Sequence, residues 1–276
     1  MRDLRYPFAF LLPCLALFAL LALGGCGSDE KGGTTPEGTT PYGQTPYGAG
    51  TGERSTGLDA DLLGKVEAAL AKGRELLLAA QAENGGWGDP EIQVPPNVGY
   101  TGMAAAALIG ATPSTQVAGD AAIRGALELL QANQKEDGSI WDNPQYVNYG
   151  TSAAVGALSA AKIPAFRQVE VKARNFLANS QIAADQADPS YGGFPYKQDQ
   201  GQPADLSNVQ FALTALADAG LPKDHVVWQR ALVYLNRMQN RSESNDYVTE
   251  VEVDGETKTV RSGDDGGAYY HPGNSK

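Results

Sequence analysis

From Asp59 onward, apolar residues recur at helical spacing in blocks of two kinds. The first kind has one apolar face and one polar face. Val66, Ala69, Leu70, Gly73, Leu76, Leu77 and Ala80 form such a face. Ile123, Ala126, Leu127 and Leu130 repeat it, as do Val169, Ala173, Phe176 and Leu177, and then Val227, Ala231, Tyr234, Leu235 and Met238. The second kind lies between them, at residues 99–111, 150–161 and 207–220, rich in Ala and Leu with very little charge. A helix that is apolar on most faces is buried on most faces. Pro113, Pro164 and Pro222 follow these blocks and mark their ends, because proline cannot continue a helix. The predicted unit is an amphipathic outer helix, a turn, a buried inner helix and a proline corner.

The turn has its own signature. Gln81 ends the first outer helix, Asn84-Gly85-Gly86 supplies residues that tolerate positive φ, and Trp87 follows, placed to cover the helix end. The pattern returns as Gln134, Gly138 and Trp141, as Gln181, Gly193 and Phe194, and as Gln239, Gly267 and Tyr269. The glutamines are 53, 47 and 58 residues apart, a period that marks a repeat architecture. Two insertions interrupt it. The second, Val248-Thr249-Glu250-Val251-Glu252-Val253 and Glu256-Thr257-Lys258-Thr259-Val260 around Asp254-Gly255, predicts a β-hairpin.

Alternating outer and inner helices predict an all-α fold in two concentric layers, an α/α toroid of about three and a half repeats with one inserted hairpin. Here the chain resembles the terpenoid cyclases and protein prenyltransferases, whose squalene-cyclase branch carries the QW repeat of the prenyltransferase and squalene oxidase type. Lys72-Gly73, Leu76-Leu77-Leu78, Gln81, Gly85 and Trp87 fit that repeat at every element. Arg124-Gly125, Leu129-Leu130, Gln134, Gly138 and Trp141 fit it with one extra residue before the Trp. The resemblance implies that these residues are structural and tie outer helices together. It also implies a ring of about six helix pairs, so the chain reads as the first part of a longer protein. The fourth outer helix then has no inner partner, and an apolar edge is expected at Val227, Ala231, Leu235 and Met238.

The N-terminal quarter is organised differently. Arg2 and Arg5 precede an apolar run ending in Leu23-Gly24-Gly25-Cys26, the pattern of a bacterial lipoprotein signal with Cys26 as the acylated residue. Residues 1–25 are expected to be the signal, 26–57 a Gly/Thr/Pro tether too poor in apolar residues to fold, and 58–276 the repeat domain. An exported protein held at the membrane by its N-terminal lipid, at the periplasmic face or the cell surface, is the expectation.

Composition removes several kinds of chemistry. Net charge is −11, which argues against a nucleic-acid partner. The only cysteines are Cys14 and Cys26, and the only histidines His225 and His271, so neither a disulfide nor a metal centre is expected in the repeat domain. No cofactor is called for. The proton-donating Asp-x-Asp-Asp of hopene-type cyclases has its nearest counterpart in Ser262-Gly263-Asp264-Asp265, which occupies a turn slot and lacks the first acid. No catalytic residue is assigned. A binding surface is expected where inner helices begin, formed by Tyr100, Tyr149, Asn208 and Gln210. The function expected is a non-catalytic binding or scaffolding module of the cell envelope, its partner a protein or an apolar ligand. The alternative is a cyclase- or prenyltransferase-like enzyme acting on a polyprenyl ligand in the toroid cavity.

Overall fold

The computed structural model describes residues 59–197 and 203–272; the signal, Cys26 and the tether lie outside them. The described chain is mostly helical. Its elements are α1 (Ala60–Ala80), α2 (Val98–Gly110), the one-turn α3 (Ser114–Val117), α4 (Ala121–Ala132) and α5 (Val147–Ala161). A 3-10 turn at Pro164–Phe166 leads into α6 (Arg167–Asn179), followed by α7 (Leu206–Asp218), α8 (Val226–Met238), β1 (Val248–Val253) and β2 (Glu256–Arg261). Asp59, Asn97, Asp120 and Asp205 cap α1, α2, α4 and α7 by accepting from first-turn N–H groups, and His225 caps α8 through Nδ1.

The two kinds of helix occupy two rows. α2 packs on α5 and α5 on α7, while α4 leans on both α2 and α5, and α6 on both α5 and α7. The inner row is possible because its helices are made of small residues. Twelve of the fifteen residues of α5 are buried, and a Cβ on Gly102 of α2 would meet the Ala153 carbonyl carbon at 2.6 Å. Leu108, Leu158 and Leu216 of the inner row meet Ile123, Leu127, Leu130 and Leu177 of the outer row in a single core.

A repeated junction fastens the outer row. The Gln81 amide donates to Gly85 O at 2.8 Å and to Ala122 O, in the first turn of α4, at 2.8 Å. Gln134 donates to Gly138 O (3.2 Å) and to Val169 O of α6 (2.9 Å). Gln181 donates to Gly192 O (2.9 Å) and to Val227 O of α8 (3.0 Å). One side chain thus closes its own turn and adds a second donor to a first-turn carbonyl of the next outer helix. Each turn glycine has positive φ: 84° at Gly85, 94° at Gly138, 85° at Gly192 and 74° at Gly266. At the first three, a Cβ would strike the backbone of the next helix, at Gly125, Lys172 and Arg230 respectively. Glycine is needed there both for its φ and for the close approach.

This geometry moves two motif positions. The residue equivalent to Gly85 is Gly192 in the third repeat and Gly266 in the fourth, one before the expected Gly193 and Gly267. Only the former have the left-handed φ, and Gln181 bonds the carbonyl of Gly192. The insertions leave the closure intact. In the tight turns Gly85 N–H donates to Ala82 O and Gly138 N–H to Lys135 O; across the insertions Gly192 N–H donates to Ile182 O and Gly266 N–H to Asn240 O.

The second tryptophan is also corrected. Trp87 is buried, and its indole N–H donates to Leu77 O at 2.7 Å, sealing the end of α1. Ile140 fills the corresponding slot in the second repeat. Its N–H bonds Thr151 Oγ1, as Trp87 N–H bonds Thr101 Oγ1. Phe194 fills that slot in the third repeat. Trp141, one residue further on, lies half-buried outside it, with Lys135 Nζ 4.6 Å from its ring centroid.

Two expected burial patterns differ. No residue of α1 is buried. Val66, Ala69, Leu70, Gly73, Leu76 and Ala80 are exposed, and only the last turns dock, through half-buried Leu77 and Leu78 and an Arg74–Asp120 ion pair at 2.7 Å. Nothing among the described residues covers the rest of that face. At the other end, Val227, Ala231, Tyr234 and Met238 of α8 are buried, and of the expected apolar edge only Leu235 remains exposed. The third turn covers α8, with Gly192 against Arg230 and Ala231 and Gly193 against Tyr234. Arg237, itself buried, takes Asp246 in a two-toothed ion pair and donates to the carbonyls of Gln186 and Asp188, so both insertions clamp α8. The hairpin forms as expected, antiparallel, with Val253 opposite Glu256 and positive φ at Asp254 and Gly255.

Candidate functional site

Each inner helix begins beneath the loop of the following repeat. Val98 N–H of α2 donates to Asp142 Oδ2, Asn148 N–H of α5 to Tyr196 O, and Leu206 N–H of α7 to Tyr270 O. Asp142, Tyr196 and Tyr270 each stand four residues after the turn glycine. The three loops thereby satisfy helix-start N–H groups that lack intrahelical partners. They also bring two tyrosine rings to the place where the expected binding residues lie.

Of the two, the Tyr196 ring meets Tyr149. The Tyr149 centroid is 5.5 Å from Tyr196 and 5.2 Å from Phe211 of α7, and Tyr146 stands 6.2 Å from Tyr196. The hydroxyls converge on one serine. Tyr149 OH donates to Ser207 Oγ, Ser207 Oγ donates to Asp205 Oδ1 at 2.7 Å, and Tyr270 OH lies 2.9 Å from Ser207 Oγ. With the Ser207 proton spent on Asp205, both tyrosines are donors to the serine. Burial pushes the Tyr149 phenol well above its usual range. Tyr196 is raised as well, by burial first and then by hydrogen bonding with Asp205 and Tyr270.

The network can donate and accept hydrogen bonds but is ill suited to proton abstraction. A general base needs a phenol shifted down, and an activated serine needs a base free to take its proton. Asp205 instead spends Oδ1 on Ser207 and on capping α7 through Asn208 N–H.

Of the four expected binding residues, the structure joins two. Tyr149 is in the network, and buried Asn208 reaches it through Nδ2 to Asp205 Oδ1, with its own Oδ1 making no hydrogen bond. Tyr100 occupies the matching place on α2, its N–H held by Asn97, and Gln210 is exposed outside the network. Tyr196 and Tyr270 were not singled out from the sequence. Their signal was the recurrence of a residue at one offset from the turn glycine, across insertions of unequal length.

Asp264 and Asp265 serve the fourth turn. Asp264 accepts from Ser242 Oγ (2.7 Å) and N–H (2.8 Å), and Asp265 from Gly267 N–H (2.8 Å). These bonds hold both carboxyls below the usual range, Asp265 with a further contribution from Asn240. A proton-donating acid needs the opposite shift. Two open grooves of mixed polar and apolar lining run beside the first two junctions. One of about 870 Å³ includes Gln81, Asn84, Glu128 and Asn133, and one of about 380 Å³ includes Gln134, Glu136, Gln168 and Lys172. Among the described residues no cluster of His, Cys, Asp or Glu could hold a metal ion, and no helix is long and apolar enough to cross a membrane.

Neither family models nor curated proteins match this chain.

Proposed function

We propose that the chain is an exported lipoprotein whose repeat domain, an arc of the α/α-toroid kind resembling squalene-cyclase and prenyltransferase repeats, serves as a non-catalytic binding or scaffolding module. The commitment of Ser207 and Asp205 Oδ1 to bonds within the site carries this reading. The Tyr149 and Tyr270 hydroxyls, Ser207 and Asp205 are committed to one another and to capping α7, so they stiffen the arc and leave an aromatic surface beside it. Half-exposed Tyr146, with Tyr149, Tyr196 and Phe211 behind it, offers that surface to a protein or an apolar ligand.

Anchoring follows from Cys26 in the lipobox. Detergent-phase partitioning tests it: the wild-type chain is expected in the detergent phase and Cys26→Ala in the aqueous phase. Mass spectrometry of lipids extracted from the purified chain separates the two functional readings. A stoichiometric polyprenyl lipid would replace scaffolding with the cyclase- or prenyltransferase-like alternative.

A further inference from the structure

Each internal junction has two halves. A turn offers a glutamine amide and a left-handed glycine. The next outer helix offers a carbonyl twelve residues, and a backbone surface nine residues, ahead of its own glutamine: Ala122 and Gly125 before Gln134, Val169 and Lys172 before Gln181, Val227 and Arg230 before Gln239. The chain also carries one of each half unmatched among the described residues. On the turn side, Gln239 is exposed and its amide donates to no described residue. Nothing lies within 4 Å of a Cβ on Gly266, although that turn is closed by the same backbone bonds as the others. On the helix side, the positions twelve and nine ahead of Gln81 are Ala69 and Lys72, both exposed. Beside them Leu62, Val66 and Leu70 form a stripe 43%, 39% and 50% exposed.

We propose that the fourth turn of one copy docks on α1 of a second copy, reproducing between chains the junction that each chain builds three times within itself. The occupant is a second copy because α1 is built on the same spacing as α4, α6 and α8, and its receiving surface alone among theirs is open. The glutamine bonds join only a turn and the next outer helix, with no inner-helix residue between them. The contact is heterologous: each copy gives one edge and receives on the other, which builds a ring or a filament. It stands whether or not Cys26 is acylated and whatever the aromatic surface binds.

Native mass spectrometry of the full chain released from detergent micelles tests this with two blocked edges. Ala69→Trp obstructs the receiving helix. Gly266→Asn keeps the left-handed turn, which Asn tolerates, and puts a side chain where the third junction has the Arg230 carbonyl. The wild-type chain is expected to give oligomers, and each variant alone to lose association. The two variants mixed are expected to give a dimer and nothing larger, since one good edge remains on each. Circular dichroism checks that both stay helical; should either fail to fold, Lys72→Glu and Gln239→Leu address the same edges. A monomeric wild-type chain, oligomers that survive either substitution, or a mixture that stays monomeric would overturn the proposal.

Discussion

Gly192 and Gly266 close their loops in the same way, at φ 85° and 74°, each with its N–H on the carbonyl where the insertion begins. Their surroundings are opposite. Gly192 presses on Arg230 beside a buried glutamine bonded to the next helix, whereas Gly266 faces open space beside an exposed one. The turn therefore forms from its own closing bonds, with or without a neighbour. Local closure and tertiary docking are separable contributions, and paired substitutions can measure each.

The largest effect is expected at the glycines. Gly192→Ala combines left-handed strain with a clash against backbone and should cost about 3–5 kcal/mol, while Gly266→Ala meets strain alone and should cost about 1–2 kcal/mol. Urea midpoints of the dilute chain give the difference; equal costs would mean that the Arg230 contact contributes nothing. The aromatic slots come next. Trp87→Ala should lose about 3–5 kcal/mol and Trp141→Ala less than about 1 kcal/mol, because only the first ring is sealed in the core. Similar midpoint shifts for the two would refute the assignment of Ile140 to the second slot.

Among the glutamines, Gln181→Ala leaves the Gly192 carbonyl without its donor and removes the tie to Val227 O, and should cost about 1–3 kcal/mol, against less than about 0.5 kcal/mol for Gln239→Ala. Amide exchange at the first turn of α8 should accelerate only in the former. The smallest effect is one of pH. Arg237 holds the Asp246 carboxyl below its unfolded value, so the pair's contribution is complete above the unfolded carboxylate pKa, about 4, and fades as pH falls through the lower folded value. Asp246 is 64% exposed, so solvent screening keeps this under about 1 kcal/mol. Asp246→Asn should remove that part of the acid dependence and leave the part due to Asp264 and Asp265. An unchanged acid limb would mean that the pair does not couple to folding.

The longer helices, the apolar character of the inner row and the hairpin were legible from spacing, proline placement and Asp254-Gly255, because each is written in patterns spanning a few residues. The glutamine was legible as a helix-end residue, but its reach to Ala122, Val169 and Val227 was not, since those partners lie 35–46 residues away. The sequence by itself also determined that the turns would need glycine and that the inner helices would be apolar all round. Only the tertiary structure decided which glycine of a Gly-Gly pair takes positive φ, and that Ile140 rather than Trp141 is swallowed. It likewise decided that α1 would stay uncovered while α8 is clamped by Arg237. A local pattern specifies what a segment can bury. Whether it is buried depends on which neighbour arrives, and that is settled by packing between residues far apart in the chain.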